Sequence, residues 1–151
     1  PLDFDFSKVL EQSKDNPVFY VQYAHARINS VLTKARVAGL KVEPEDLKSA
    51  DLSEINHPAE LKLAKTLAEW PRLLEQAAKG HEPHRIAFYL FELASDFHAL
   101  WNRGNEVPEL RFLQEENLTR SRGKIALISA VSVVLSAGLG ILGVTPVQEM
   151  R

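Results

Sequence analysis

Residues 16–40, NPVFYVQYAHARINSVLTKARVAGL, show a clear helical period. At about 100° per residue, Val21, Ala24, Ile28, Val31, Leu32 and Ala35 share one arc, which defines a core face. Asn16 is a good N-cap, and Pro17 suits a first helical position that needs no N–H partner. Gly39 is a natural stop. Tyr20, Tyr23, Arg27, Ser30 and Lys34 share a second narrow arc, centred about 110° from the first. A core stripe is not normally flanked by a line of phenols and cations. Aromatic faces stack on unpaired bases and cations meet phosphates, so this arc is a candidate RNA surface. The competing reading makes the tyrosines a helix–helix packing face. Arg27 could equally pair with an acid of residues 43–60.

The rest of the chain reads as further helices. Residues 1–15 open with Leu2, Phe4 and Phe6 alternating with acids, a short extended piece, and Ser7 can cap a short helix through Val9 and Leu10. Residues 41–60 contain Pro44, Pro58 and several acids, and read as a connection with one helical turn around 46–50. Pro58 opens a helix whose apolar positions are Leu61, Ala64, Leu67 and Ala68. Pro71 cannot continue it without loss of a hydrogen bond. A kink or restart is expected there, with Leu73, Leu74 and Ala77 carrying the face onward to Gly80. Glu82-Pro83 starts the next helix, expected to end at Arg103 before Gly104, with Ile86, Leu90, Leu93, Ala94, Phe97 and Trp101 as its stripe. Phe88, Tyr89 and Phe91 lie off that stripe, as in a central bundle helix that is apolar on more than one side. Val107 and Phe112 are expected to anchor the connection 105–116.

Asn117 is a cap for a last long helix over 118–138, with Gly138, Gly140 and Gly143 marking its stop. Residues 125–144 carry no charge and have the hydropathy of a membrane span. Ser129, Ser132, Ser136 and Gly140 fall on one side, which favours a buried bundle helix with one small face. A membrane hairpin is the weaker alternative. Thr145-Pro146 is expected to cap a final helical turn with Val147 and Met150 on one side, supported by the start of the first helix. The fold expected is an all-α bundle of four or five main helices in one domain over 1–151, the first and last packed together.

Composition changes this picture little, but charge distribution changes it more. A hydrophobic fraction of 45% and a charged fraction of 25% are ordinary for a globular protein. There are no cysteines, which excludes disulfides and thiolate metal sites and agrees with a reducing, cytoplasmic setting. Net charge is −2, against binding nucleic acid by bulk positive charge. Yet residues 16–42 hold Arg27, Lys34, Arg36 and Lys41 with no acid, and residues 117–148 hold Arg120, Arg122 and Lys124 with no acid. Residues 43–60 hold Glu43, Glu45, Asp46, Asp51, Glu54 and Glu60 against Lys48. If the two acid-free helices are neighbours, one face is basic while the whole is slightly acidic.

No catalytic constellation is visible. No two of the five histidines stand at i, i+4 on a helix, and His81 and His84 flank a proline in a loop. His25 and His98 read as packed or solvent-facing helix histidines. GxxxxGK[ST], GxSxG and GxGxxG are absent, and Ser121-Arg122-Gly123-Lys124 lies inside a helix without the glycine spacing of a phosphate loop. Asp3 and Asp5 have no partner base. Neither a catalytic, a cofactor-binding nor a metal site is expected.

NPVFYVQYAHARI resembles the first helix of the C-terminal anticodon-binding (DALR-type) domain of the arginyl-tRNA synthetase family. PLDFDF, EPHRIAFYLFELASDFHALWNRG and residues 125–150 extend the resemblance over nearly the whole chain. It implies an all-helical domain of class I synthetase type that binds the anticodon loop of arginine tRNA as a monomer. It also implies a catalytic domain in the same polypeptide, an ATP-dependent arginine–tRNA ligase, with residues 1–15 as the join. Pro1 in place of a starting Met agrees with a piece of a longer polypeptide. ATP would belong to that domain, with no cofactor and no membrane partner here. Tyr20, Tyr23 and Arg27 match positions that meet the anticodon loop, and Met150 matches a near-terminal methionine beneath anticodon bases. Lys34 extends the same arc, and Asn16, Gln22 and His25 are supporting structure. Arg151 departs from the pattern, since many members stop at the methionine. The rival reading is a helical protein-interaction module using the Tyr20/Tyr23 face.

Overall fold

The computed structural model describes residues 16–150. The expectations for residues 1–15 and for Arg151 lie outside the described residues. Helix α1 (Pro17–Val37) begins as expected: the Asn16 side-chain oxygen accepts from the N–H groups of Val18 and Phe19 at 3.0 and 3.3 Å. Gly39 takes φ +99°, a region that favours glycine, just after the helix ends. A single turn, α2 (Pro44–Leu47), follows. It starts at Pro44 rather than within 46–50, because proline's fixed φ suits a first helical position.

Helix α3 (Pro58–Ala68) opens on a reciprocal cap between His57 and Glu60. Pro71 produces a restart, and α4 (Trp70–Gly80) follows almost at once. The buried line of α3 differs from expectation. Leu61 is half exposed, whereas Glu60, Leu63 and Thr66 are buried. Polar partners explain the shift: Glu60 meets Lys124, and Thr66 donates to Asp96 Oδ2 at 2.7 Å.

Helix α5 (His84–Glu106) is the centre of the bundle and touches α1, α3, α4 and α6. It runs through Gly104 instead of stopping before it. Gly104 is buried against the backbone of Leu110 and Arg111, and its carbonyl accepts from Arg111 Nε at 3.1 Å. Tyr89 is buried and donates to the Thr66 carbonyl at 2.7 Å, while Phe88 stays largely exposed and Phe91 partly so. A 3-10 turn (Pro108–Leu110) follows. Its anchors are Leu110 and Phe112; Val107, expected to be one, is exposed.

Helix α6 (Leu118–Ile141) has the length and hydropathy of a membrane span, but here it is a core helix. Ile125, Ile128, Val131, Leu135 and Leu139 are buried against α1, α3 and α5. Gly138 and Gly140 do not end it. Gly138 sits against Leu90, where a Cβ would come within 2.5 Å of a Leu90 methyl. The chain turns only at Gly143, with φ +77°. Beyond it, the expected final helical turn does not form and residues 144–150 are irregular. The five main helices among the described residues fall within the four or five expected, and the first of them packs against the last as the sequence predicts.

The basic face expected from two neighbouring acid-free helices forms on one side only. The cations at the start of α6 meet the acidic connection. Arg120 Nε lies 2.6 Å from Glu54 Oε2, and Arg122 donates to the Asp46 carbonyl and to Ser49 Oγ. Lys124 Nζ lies 2.6 Å from Glu60 Oε2, with both side chains buried. Of the cations on α1, only Arg36 reaches this connection, at Glu43.

Candidate functional site

Helices α1 and α5 run side by side in the same direction. Tyr20 meets Phe91 and His98, Tyr23 meets His98, and Arg27 meets His98 and Trp101. The Arg27 guanidinium lies between two rings, 4.2 Å from the centroid of Tyr23 and 4.8 Å from that of Trp101. It also donates to Tyr23 Oη at 2.8 Å and lies 3.1 Å from His98 Nδ1. Stacked cation–π contacts of this kind hold an arginine without neutralising its charge. Among the described residues, neither Arg27 nor Lys34 has a carboxylate within ion-pair distance, so the sequence alternative that pairs Arg27 with an acid of 43–60 is not realised.

His98 is the support beneath this arrangement. Arginine is always a donor, so Nδ1 of His98 must accept and the ring proton must sit on Nε2. Nε2–H then donates to the Tyr20 carbonyl at 3.3 Å. Burial is the main cause that pushes the imidazole down to about 4, and the nearby Arg27 charge adds to it. The Tyr20 hydrogen bond acts the other way and outweighs the Arg27 charge, but not burial. His98 is therefore neutral near pH 7, with a lone pair aimed at Arg27.

The irregular C-terminal segment is fastened to the same helix. Gln22 is buried, and its amide makes two bonds to the tail: Nε2 donates to the Thr145 carbonyl and Oε1 accepts from Val147 N–H, both at 2.8 Å. His25 Nδ1 donates to the Val147 carbonyl at 2.7 Å. These side chains compete for the backbone groups that a helical turn would use, which accounts for the missing turn. Residues 148–150 then form one wall of an open groove of about 690 Å³. Its opposite wall is α1, with Tyr23, Arg27, Lys34 and Arg36, and with the polar groups of Asn29, Ser30 and Thr33. Three cations face one carboxylate, Glu149, among the lining residues.

Of the residues predicted from sequence, Tyr23, Arg27, Lys34 and Met150 come together in this groove. Tyr20 does not line it. Its ring lies half-buried on α5, with centroids 5.1 Å from Phe91 and 4.5 Å from His98. Gln22 and His25 are supporting residues, as the resemblance implies, and the support they give is to the tail. Sequence reasoning missed His98 and Trp101 as parts of the site. The available signal was Trp101, which lies on the α5 stripe one turn beyond Phe97 and faces α1. Among the described residues no cluster of three or more His, Cys, Asp or Glu could hold a metal ion.

Comparison with known proteins identifies the family. The family model described as the DALR anticodon binding domain matches residues 21–150. An arginine–tRNA ligase of Roseobacter denitrificans is 65% identical over 99% of this chain, and one of Ruegeria pomeroyi is 64% identical over all of it. The chain spans 26% of the length of each. Among solved structures, Thermus thermophilus arginyl-tRNA synthetase superposes with a TM-score of 0.77 at 33% identity, covering 98% of this chain and 23% of that one. The matched span reaches from the second turn of α1 to Met150 and so takes in both walls of the groove: the chain belongs to the DALR anticodon-binding domain family.

Proposed function

We propose that this chain binds the anticodon stem-loop of arginine tRNA and positions that tRNA for aminoacylation by a catalytic domain of the same polypeptide. The observation that carries the reading is the groove, in which Tyr23, Arg27, Lys34 and Met150 meet on one open surface. Each has a role in single-strand recognition. Tyr23 and the polarisable thioether of Met150 give an unpaired base an apolar bed. Asn29, Ser30 and Thr33 offer hydrogen-bond groups to a base edge, and Arg27, Lys34 and Arg36 attract phosphates. Tyr20 contributes through its seat on His98. The relatives, which carry the name arginine–tRNA ligase, support arginine tRNA as the partner. In this reading ATP belongs to the catalytic domain, and the polypeptide works as a monomer in the cytoplasm.

The test is binding of an arginine tRNA anticodon stem-loop at several salt concentrations. Three to five phosphate contacts give a log–log salt slope of about −2 to −4. Tyr23→Ala should weaken binding by about 1–3 kcal/mol, the cost of a lost base–aromatic stack. A flat salt response from folded protein would instead favour docking of a protein helix on the Tyr20/Tyr23 face.

A further inference from the structure

The tail wall of the groove has no regular secondary structure of its own. Irregular terminal chain frays unless something ties it down. Here the ties are few and specific: two bonds from the Gln22 amide and one from the His25 imidazole, all to the backbone of Thr145 and Val147. The Gln22 amide offers one donor and one acceptor to residues two apart, as the backbone of a neighbouring strand would. Both side chains are buried, so water does not compete for the bonds. His25 is itself braced. Asn29 Nδ2 donates to the His25 carbonyl at 2.9 Å and lies against the ring, 3.3 Å from Nδ1 and 3.5 Å from Nε2. Val147 is three residues from Met150, which leaves the thioether little freedom once the clamp is closed.

We propose that Gln22 and His25 are positioning residues for tRNA binding, which hold the tail so that Met150 forms a preset wall of the groove. They act without touching RNA. Neither lines the groove. The inference rests on the tRNA reading for its consequence, but not for the clamp itself. Preset walls raise affinity because the ordering of the tail is complete before the ligand arrives.

The experiment uses the 151-residue chain with Gln22→Met, which keeps the side-chain volume and removes the amide. His25→Leu is the second variant, which carries the test if the first unfolds. Hydrogen exchange at the Val147 amide should speed up at least tenfold in Gln22→Met, while amides of α5 keep their protection. Affinity for the anticodon stem-loop should fall about tenfold. In a Met150→Ala background, Gln22→Met should cost far less than it does alone, since both act through one wall. Unchanged exchange at Val147 would overturn the clamp. A full, additive loss in the Met150→Ala background would overturn its route through the tail. If the unsubstituted chain binds no RNA, the tRNA reading fails, and the exchange measurement still decides the clamp.

Discussion

The cations of α1 and those at the start of α6 come from two stretches of sequence without acids, yet their surroundings differ. Arg120, Arg122 and Lys124 lie under the connection 43–60 and are engaged by its carboxylates and carbonyls. On α1 only Arg36 reaches a carboxylate of that connection, Glu43 at 3.2 Å on the surface. Arg27 rests on aromatic rings, and Lys34 projects into the groove. The same residue types therefore do opposite jobs. One group ties a loop to a core helix, and the other leaves positive charge for a ligand. What separates them is the path of the connection, which leaves the C-terminal end of α1 and lies over the N-terminal end of α6.

The sharpest way to break this comparison is to remove a cation from each group. Lys124→Met leaves the Glu60 carboxylate buried without its partner, though the His57 N–H still donates to it at 3.3 Å. Loss of one member of a buried pair costs about 3–5 kcal/mol. Urea unfolding should show a drop near the lower end of that range, with stem-loop affinity of the folded fraction unchanged. A small stability effect would mean the α6 cations are no more structural than those of α1.

The second test uses pH. His98 has a folded-state value of about 4, against an ordinary value near 6.5, so the unfolded chain takes up the proton first. Its contribution to stability is present in full above pH 6.5 and is lost as pH falls towards 4. The gap between the two values corresponds to a contribution on the order of 3 kcal/mol. Protonation also replaces the lone pair facing Arg27 with a second donor. His98→Asn can still accept from Arg27 through its carbonyl oxygen and carries no titrating group. Stability measured from pH 7 to pH 4 should therefore fall more steeply in the unsubstituted chain than in His98→Asn. Parallel curves would detach His98 from the groove.

The smallest effect is the most direct comparison. Lys34→Gln should reduce the magnitude of the salt slope of stem-loop binding by about 1. Arg120→Gln should leave it unchanged. Both should alter stability by no more than about 1 kcal/mol, the scale of exposed charges. Equal slopes for the two variants would erase the distinction between the groups.

Much of the fold was legible because local rules set it. Asn16-Pro17, Pro58 and the break at Pro71 each have a steric or hydrogen-bonding cause within a few residues. The α1 core stripe followed from period alone, and the groove side of that helix was visible as an arc of Tyr23, Arg27 and Lys34. The departures share a different cause. Gly104 and Gly138 read as stops, yet each sits where a neighbouring segment approaches a helix closely. The buried face of α3 departs from its apolar period because Glu60 and Thr66 are buried by partners far away in sequence.

By itself, then, the sequence determined where the helices lie, which face of α1 is core, and which residue types stand ready for an RNA loop. These depend on neighbours within a turn or two. Tertiary structure alone decided which cations stay available, since that depends on a connection crossing one helix end and not the other. It also turned Tyr20 inward onto His98, and it replaced a short helix at the C-terminus with a clamped irregular segment. Hydrogen bonds between residues more than a hundred positions apart leave no period for a sequence to display.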